Sequence, residues 1–403
     1  MLPFLFILIA MKMTALLCSL VLLAYSCSKS GSTPTPTDPV LSSEAVTAFE
    51  GNGGTSTMEF VFTLSAASSK TVSVRVITND GFAKTGEDYK KVDQVLSFAP
   101  GETTKKIGVE IVADDAREGS DDFLVALSQP VNCTVARPTY KGTIQNDDSK
   151  VVFVTTGTSS PDSYPGMTLT WADEFNGTAV NTNDWNYETG DGCPGVCGWG
   201  NNELEWYTAG DNASVQSGAL VIEARQETRG TKSYTSTRMT TKSKKPIKFG
   251  RIDIRAKLPI GKGIWPALWM MPQEDKYGTW PKSGEIDIME FLGHEPNKVY
   301  STVHFGPGPG STNISRSTIG ATPFSDAFHV YSLIWETDRL RFLVDDVQIS
   351  EIKKADLGSN TYPFNESFFF IFNLAVGGNW PGSPDANTYF PQWLIVDYVR
   401  VFQ

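Results

Sequence analysis

The sequence is poor in metal-binding side chains: only five cysteines and three histidines in 403 residues. No four-ligand Cys/His zinc module can be assembled from spacings this sparse. Basic residues are also in deficit, 34 Lys and Arg against 45 Asp and Glu, a net charge of -11. A polyanion such as nucleic acid is therefore repelled over most of the surface, whereas a neutral partner meets no such barrier. Tryptophan is absent from the whole first part of the chain, since all ten lie between Trp171 and Trp393. No long amphipathic helical pattern occurs either, which excludes helical bundles and α/β layers. What remains, 40% hydrophobic and 20% charged residues, is a globular composition, and the length suits two folded units.

The one long apolar run is at the start. Residues 1–26 are nearly all apolar apart from Lys12, and end in Ala24-Tyr25-Ser26-Cys27 before a polar tract. This is export-signal architecture, with translation starting at Met1, Met11 or Met13. It resembles bacterial lipoprotein signals, which implies that residues 1–27 form the signal and that Cys27 is lipidated. The mature chain is then expected on the cell envelope, at the outer membrane or cell surface, held through a lipid anchor; a plain secreted protein is the alternative. Of the other cysteines, Cys18 goes with the signal and Cys133 reads as a buried structural thiol. Cys193 and Cys197 read first as a disulfide in an exported loop, with a zinc site as runner-up that lacks further ligands.

Residues 28–39, rich in Ser, Thr and Pro, form a linker. Residues 40–148 carry short runs such as Glu59 to Leu64 and Thr71 to Val76, which alternate apolar and polar residues between Gly, Asn and Asp clusters. That period of two predicts a β-sandwich. A second Ser/Thr/Gly/Pro linker covers 149–164, and residues 165–403 again read as all-β, with strand-like runs Arg251 to Leu258, Leu340 to Val344 and Leu394 to Val401. The tryptophan distribution assigns ligand binding to this second domain, because indole faces are well suited to stacking on flat ligand surfaces.

The most informative segment is Gly284-Glu285-Ile286-Asp287-Ile288-Met289-Glu290-Phe291. On a strand, Glu285 and Asp287 share one face while Ile286 and Ile288 point to the core. Glu290, five positions from Glu285, belongs to the opposite face unless a β-bulge at Ile288 or Met289 absorbs one residue and returns it. Three carboxylates on one face repel one another and are poor strand formers, so the row is expected only where it does chemistry. Mutual repulsion raises at least one pKa and keeps a carboxyl protonated near neutrality.

With that bulge the segment resembles the Glu-x-Asp-x-x-Glu signature of glycoside hydrolase family 16. The resemblance extends over Trp171-Ala172-Asp173-Glu174-Phe175, Gly198 to Thr208, Gly261 to Met270, Val303-His304-Phe305-Gly306 and Gly377 to Gly382. It implies a β-jelly roll (concanavalin A-like) with a substrate cleft. It further implies retaining hydrolysis with Glu285 as nucleophile, Asp287 as its assistant and Glu290 as acid/base. The Trp199 to Thr208 block is most similar to laminarinase-type members, so the expected substrate is β-1,3-glucan, with mixed β-1,3/1,4-glucan as an extension; Glu205 stands where Gln is commoner. Agarose or another galactan, and a noncatalytic carbohydrate-binding surface protein, are the competing readings. Asn202, Arg255, Trp265, Trp269, His304 and Trp380 are the expected substrate contacts, and Glu174 and Asp397 candidates for a structural calcium site. No cofactor is expected for catalysis, and the protein is expected to be a monomer.

The first domain resembles a Calx-β module, of immunoglobulin-like sandwich type, through Phe49-Glu50-Gly51, Gly86-Glu87-Asp88-Tyr89, Leu96 to Glu102, Asp114 to Gly119 and Ile144 to Asp148. The resemblance implies a Ca2+ site drawn from Glu50, Asp88, Asp114, Asp115, Glu118, Asp147 and Asp148; the alternative is a spacer whose acidic residues only make turns.

Overall fold

The computed structural model describes residues 38–308 and 312–403; the expected signal and Cys27 lie outside the described residues. Residues 40–145 form a four-stranded and a five-stranded sheet packed face to face. The alternation read from the sequence sets which side chains meet between them. Gly54–Leu64 buries Met58, Phe60, Phe62 and Leu64, and Val72–Asp80 buries Val72, Val74 and Val76, with the residues between them, polar apart from Val61, turned outward. Cys133 is a buried free thiol in the same core.

The second domain packs a seven-stranded sheet on an eight-stranded one in a β-jelly roll. The strands that position its chemistry are β1 (Glu205–Tyr207), β2 (Gly250–Lys257), β3 (Ile264–Pro272), β4 (Glu285–Phe291), β5 (Lys298–His304), β6 (Phe368–Val376) and β7 (Gln392–Phe402). The run β6-β3-β4-β5 forms the middle of the seven-stranded sheet, whereas β2 and β7 are neighbours in the eight-stranded sheet. Every residue of β6 is buried, as expected of a central strand covered on both faces. Between the sheets lie Leu268, Ile286, Ile288, Met289, Phe291, Phe370, Phe372, Ile254 and Val399.

Two features join the domains. The Ser/Thr/Gly/Pro-rich stretch after residue 148 is laid along the eight-stranded sheet, where Val151 packs with Val221, Phe328 and Ile395. Arg255, 6% exposed, ties it down by donating to the carbonyls of Thr155 and Thr158, and it pairs with Asp397 at 2.7 Å. Arg255 is therefore a strap anchor rather than a substrate contact: β2 belongs to the sheet that carries no catalytic carboxylate. Further along, Arg117 donates to Glu223 Oε1 at 3.0 and 2.9 Å, the Gly119 N–H donates to the Tyr389 hydroxyl at 2.9 Å, and Phe82 packs on the Tyr389 ring.

Charge-assisted bonds to a carboxylate that is 8% exposed are worth about 1.5–3 kcal/mol. Arg117→Ala is accordingly expected to lower the melting temperature and split one calorimetric transition into two. A single unshifted transition contradicts this account of domain docking.

Candidate active site

The acidic strand β4 runs between β3 and β5, and its register shows how the three carboxyls come to share a face. Asp287 pairs with Thr302 but Glu290 pairs with Tyr300, so three steps along β4 match two along β5. The same slip occurs against β3, where Leu268 pairs with Met289 and Trp269 with Asp287, leaving Ile288 as the extra residue. Ser301 donates to the Ile288 carbonyl at 2.8 Å, satisfying a group that the bulge takes out of the ladder. Ile286, Ile288, Met289 and Phe291 fill the core beneath.

On the other face, Glu285 accepts a hydrogen bond from the Trp280 indole at 2.5 Å, and His304 Nε2 lies 3.3 Å from Asp287 Oδ2 and 3.8 Å from Glu285 Oε1. Thr302 donates to Glu290 at 3.1 Å, and the Trp265 indole N–H, which has no other partner, faces Glu290. Burial, then the charge of Asp287, pushes Glu285 up to about 8, with His304 and Trp280 pulling the other way. Burial and the charge of Glu290 hold Asp287 well above the usual carboxylate range. Burial and the charge of Glu285 push Glu290 up to about 7.

Three such groups cannot all ionise at neutral pH. Asp287 is 2% exposed and its Oδ2 receives no hydrogen bond, so the neutral acid is its cheaper form. An indole N–H can only donate, so Trp280 favours Glu285 as the anion. Glu290 receives one hydrogen bond, from the Thr302 hydroxyl, while the Trp265 indole that faces it stays outside bonding geometry, so Glu290 is the carboxyl left to carry a mobile proton.

Beside the carboxyls, Trp380 meets Trp265 edge to face at 5.6 Å and Tyr300 at 4.8 Å. Asn202, at φ +57°, donates to Asn379 beside Trp380. Trp269 is half-buried and spends its indole N–H on Asn373, while Arg238 lies over the rings of both Trp269 and Trp199 at 4.8 Å. Trp280, Tyr300, Thr302 and Arg238 were not among the sequence candidates; for Trp280, the signal available was a tryptophan five residues before the acidic strand. Cys193 and Cys197 are joined in a disulfide near the Trp199 loop.

The metal candidates divide. Glu174 does not fit a calcium site, because its carboxylate is held by Arg400 at 2.6 and 2.9 Å, and Asp397 is the partner of Arg255. In the first domain, Asp115 pairs with Lys150, Asp147 accepts the Gly51 N–H and Asp88 accepts the Lys84 N–H. Glu50, Asp114 and Asp148 do converge, with one oxygen of each within 4.8 Å of the others. Asp148 Oδ2 is buried without a partner, and burial raises both Glu50 and the nearby Glu118 to about 7. That donor set fits a hard divalent cation.

The fold and the carboxyl trio define a glycoside hydrolase, and comparisons narrow the class. Residues 200–394 match the model of glycosyl hydrolases family 16, and residues 40–152 match the Calx-beta domain. A β-glucanase of Rhodothermus marinus is 38% identical over 262 residues, 61% of this chain and 89% of that protein. Glucan endo-1,3-β-glucosidase A1 of Niallia circulans is 41% identical over 275 residues, 62% of this chain but only 40% of that longer protein. The laminarinase catalytic domain of Thermotoga maritima superposes with a TM-score of 0.57 at 45% identity, covering 59% of this chain and 98% of that one. The chain belongs to glycosyl hydrolase family 16.

A carboxyl whose pKa is raised on folding adds stability at low pH that is lost as pH rises through the folded value. For Glu290, the carboxyl that carries the proton, that window runs from 4.5 up to about 7. Glu290→Gln is therefore expected to match the wild type in acid and to exceed it by roughly 1–3 kcal/mol above neutrality. Chemical denaturation at the two pH extremes measures this, and equal stability at alkaline pH contradicts burial of the carboxyls as charged groups.

Proposed function

We propose that this protein is a retaining endo-hydrolase of β-1,3-glucan, with mixed β-1,3/1,4-glucan as a secondary substrate. The observation that carries the reading is the bulge at Ile288, which puts Glu285 and Glu290 on one face beside an aromatic wall. Retaining hydrolysis needs two carboxyls about 5 Å apart, one a nucleophile and one an acid. The Glu285 carboxylate attacks the anomeric carbon while Glu290 gives its proton to the departing glycosidic oxygen. The resulting glycosyl ester on Glu285 is opened by water, whose proton returns to Glu290, so both groups end as they began. Asp287, neutral and in contact with Glu285, supports the nucleophile's changing charge without adding one of its own. The similarity to endo-1,3-β-glucosidases and a β-glucanase supports the choice of glucan.

The disulfide supports an oxidising compartment, and we extend the proposal to export with lipidation at Cys27. Glu50, Asp114 and Asp148 would hold Ca2+ as a structural ion, which would neutralise carboxylates that now repel one another.

Glu285→Gln and Glu290→Gln are each expected to lower reducing-sugar release from laminarin by about 10²–10⁴-fold; undiminished release by either variant overturns the role assignment. Excess Ca2+ after EDTA is expected to raise the melting temperature of the wild type and leave Asp148→Asn unmoved. No shift in the wild type reduces the acidic cluster to turn residues.

A further inference from the structure

Behind the Trp199 loop lies a second pair of carboxyls that the hydrolytic steps do not use. Glu203 and Glu205, the latter opening β1, are 3% and 0% exposed. Among the described residues neither forms an ion pair. Arg238, whose charge is felt at Glu203, is itself engaged by Glu188 at 2.5 Å, and Lys232 reaches only the Glu203 backbone carbonyl. Two adjacent buried anions without a counter-charge are prohibitive, so the pair must keep a proton.

The hydrogen bonds say where it sits. Both oxygens of Glu203 accept, Oε1 from the Asn201 amide at 3.2 Å and Oε2 from the Tyr207 hydroxyl at 3.0 Å. Glu205 accepts the Val376 N–H at Oε2, 2.6 Å, while its Oε1 receives nothing. Glu203 is thus built as the anion and Glu205 as the neutral acid, and burial with the Glu203 charge raises the Glu205 carboxyl in the same sense.

Every donor in the adjoining chain points toward Glu203. The Trp269 indole donates to Asn373, the Asn373 amide to Tyr207 and the Tyr207 hydroxyl to Glu203, at 2.8, 3.1 and 3.0 Å. On its other side Glu205 Oε2 takes the Val376 N–H where two cleft segments are already joined by backbone bonds, Leu204 N–H to Val376 O and Asn379 N–H to Asn201 O, both 2.8 Å, with Asn202 bonded to Asn379 beside Trp380.

We propose that Glu203 and Glu205 keep one proton between them, held on Glu205, and act as positioning residues. The Glu203 charge orients Trp269 through Tyr207 and Asn373, and Glu205, through the Val376 N–H, holds the 198–205 loop against the 376–380 turn that carries Trp380. The inference rests on the glucanase reading for its kinetic test but not for its spectroscopic one. In the infrared difference spectrum of wild type minus Glu205→Gln at neutral pH, one carboxylic-acid C=O band is expected. A lost carboxylate band instead, or no lost band, overturns the proton held on Glu205 whether or not laminarin is cleaved.

In kinetics, Glu205→Leu is expected to raise KM for laminarin about 10-fold, the worth of one buried hydrogen bond, with a smaller change in kcat. Glu205→Gln, which stays uncharged and keeps an acceptor for the Val376 N–H, is expected to restore most of that loss. Failure of Gln to rescue, or a fall confined to kcat, overturns the positioning role. If Glu205→Leu does not fold, the pH profile of KM decides: it should rise in alkali for the wild type and stay flat for Glu205→Gln, and parallel profiles overturn the proposal.

Discussion

Burying three carboxyls side by side on one strand is the constraint around which the catalytic domain is arranged. Each charge removed from water costs several kcal/mol unless it is neutralised or bonded. The structure lowers that cost in three ways: a proton held on Asp287, donors from Trp280 and Thr302 placed on the other two carboxyls, and a bulge that turns Glu290 toward the same water-facing side. The apolar side of the same strand fixes the arrangement, because Ile286, Ile288, Met289 and Phe291 lock its register against the core. A slip of one residue would exchange acids for isoleucines.

The two sheets divide the labour. The seven-stranded sheet carries the carboxyls and aromatic wall, with β6 buried along its whole length as the rigid floor. The eight-stranded sheet carries no candidate catalytic group; its ionic groups are spent on holding the strap between domains and the chain end, through Arg255 with Asp397 and Arg400 with Glu174. The sandwich at the N-terminal side is fastened to this body through Arg117 and Tyr389, and Tyr389 follows the segment that carries Trp380.

Local pattern made much of this legible. Period-two alternation identified both all-β domains, and the spacing of Glu285, Asp287 and Glu290 demanded a bulge that is found at Ile288. What local pattern could not reveal was sheet membership. Arg255 sits in a strand that alternates charged and apolar residues as β4 does, yet its neighbour β7 comes about 140 residues later and places it in the other sheet, so its partner is Asp397 rather than a substrate hydroxyl. Trp280 was hidden because it lies on a loop, where no periodicity says which way a side chain turns. Glu174 and Asp397 offered the chemistry of a metal ligand, but chemistry alone does not exclude an arginine arriving from elsewhere in the chain.

The account turns on a nucleophile and an acid acting from one face of a kinked strand. Proton NMR of the first sugar released from laminarin reads this directly. The account requires the new reducing end to appear as the β-anomer and only later mutarotate. An α-anomer appearing first would mean a single displacement by water, and would contradict the roles given to Glu285 and Glu290.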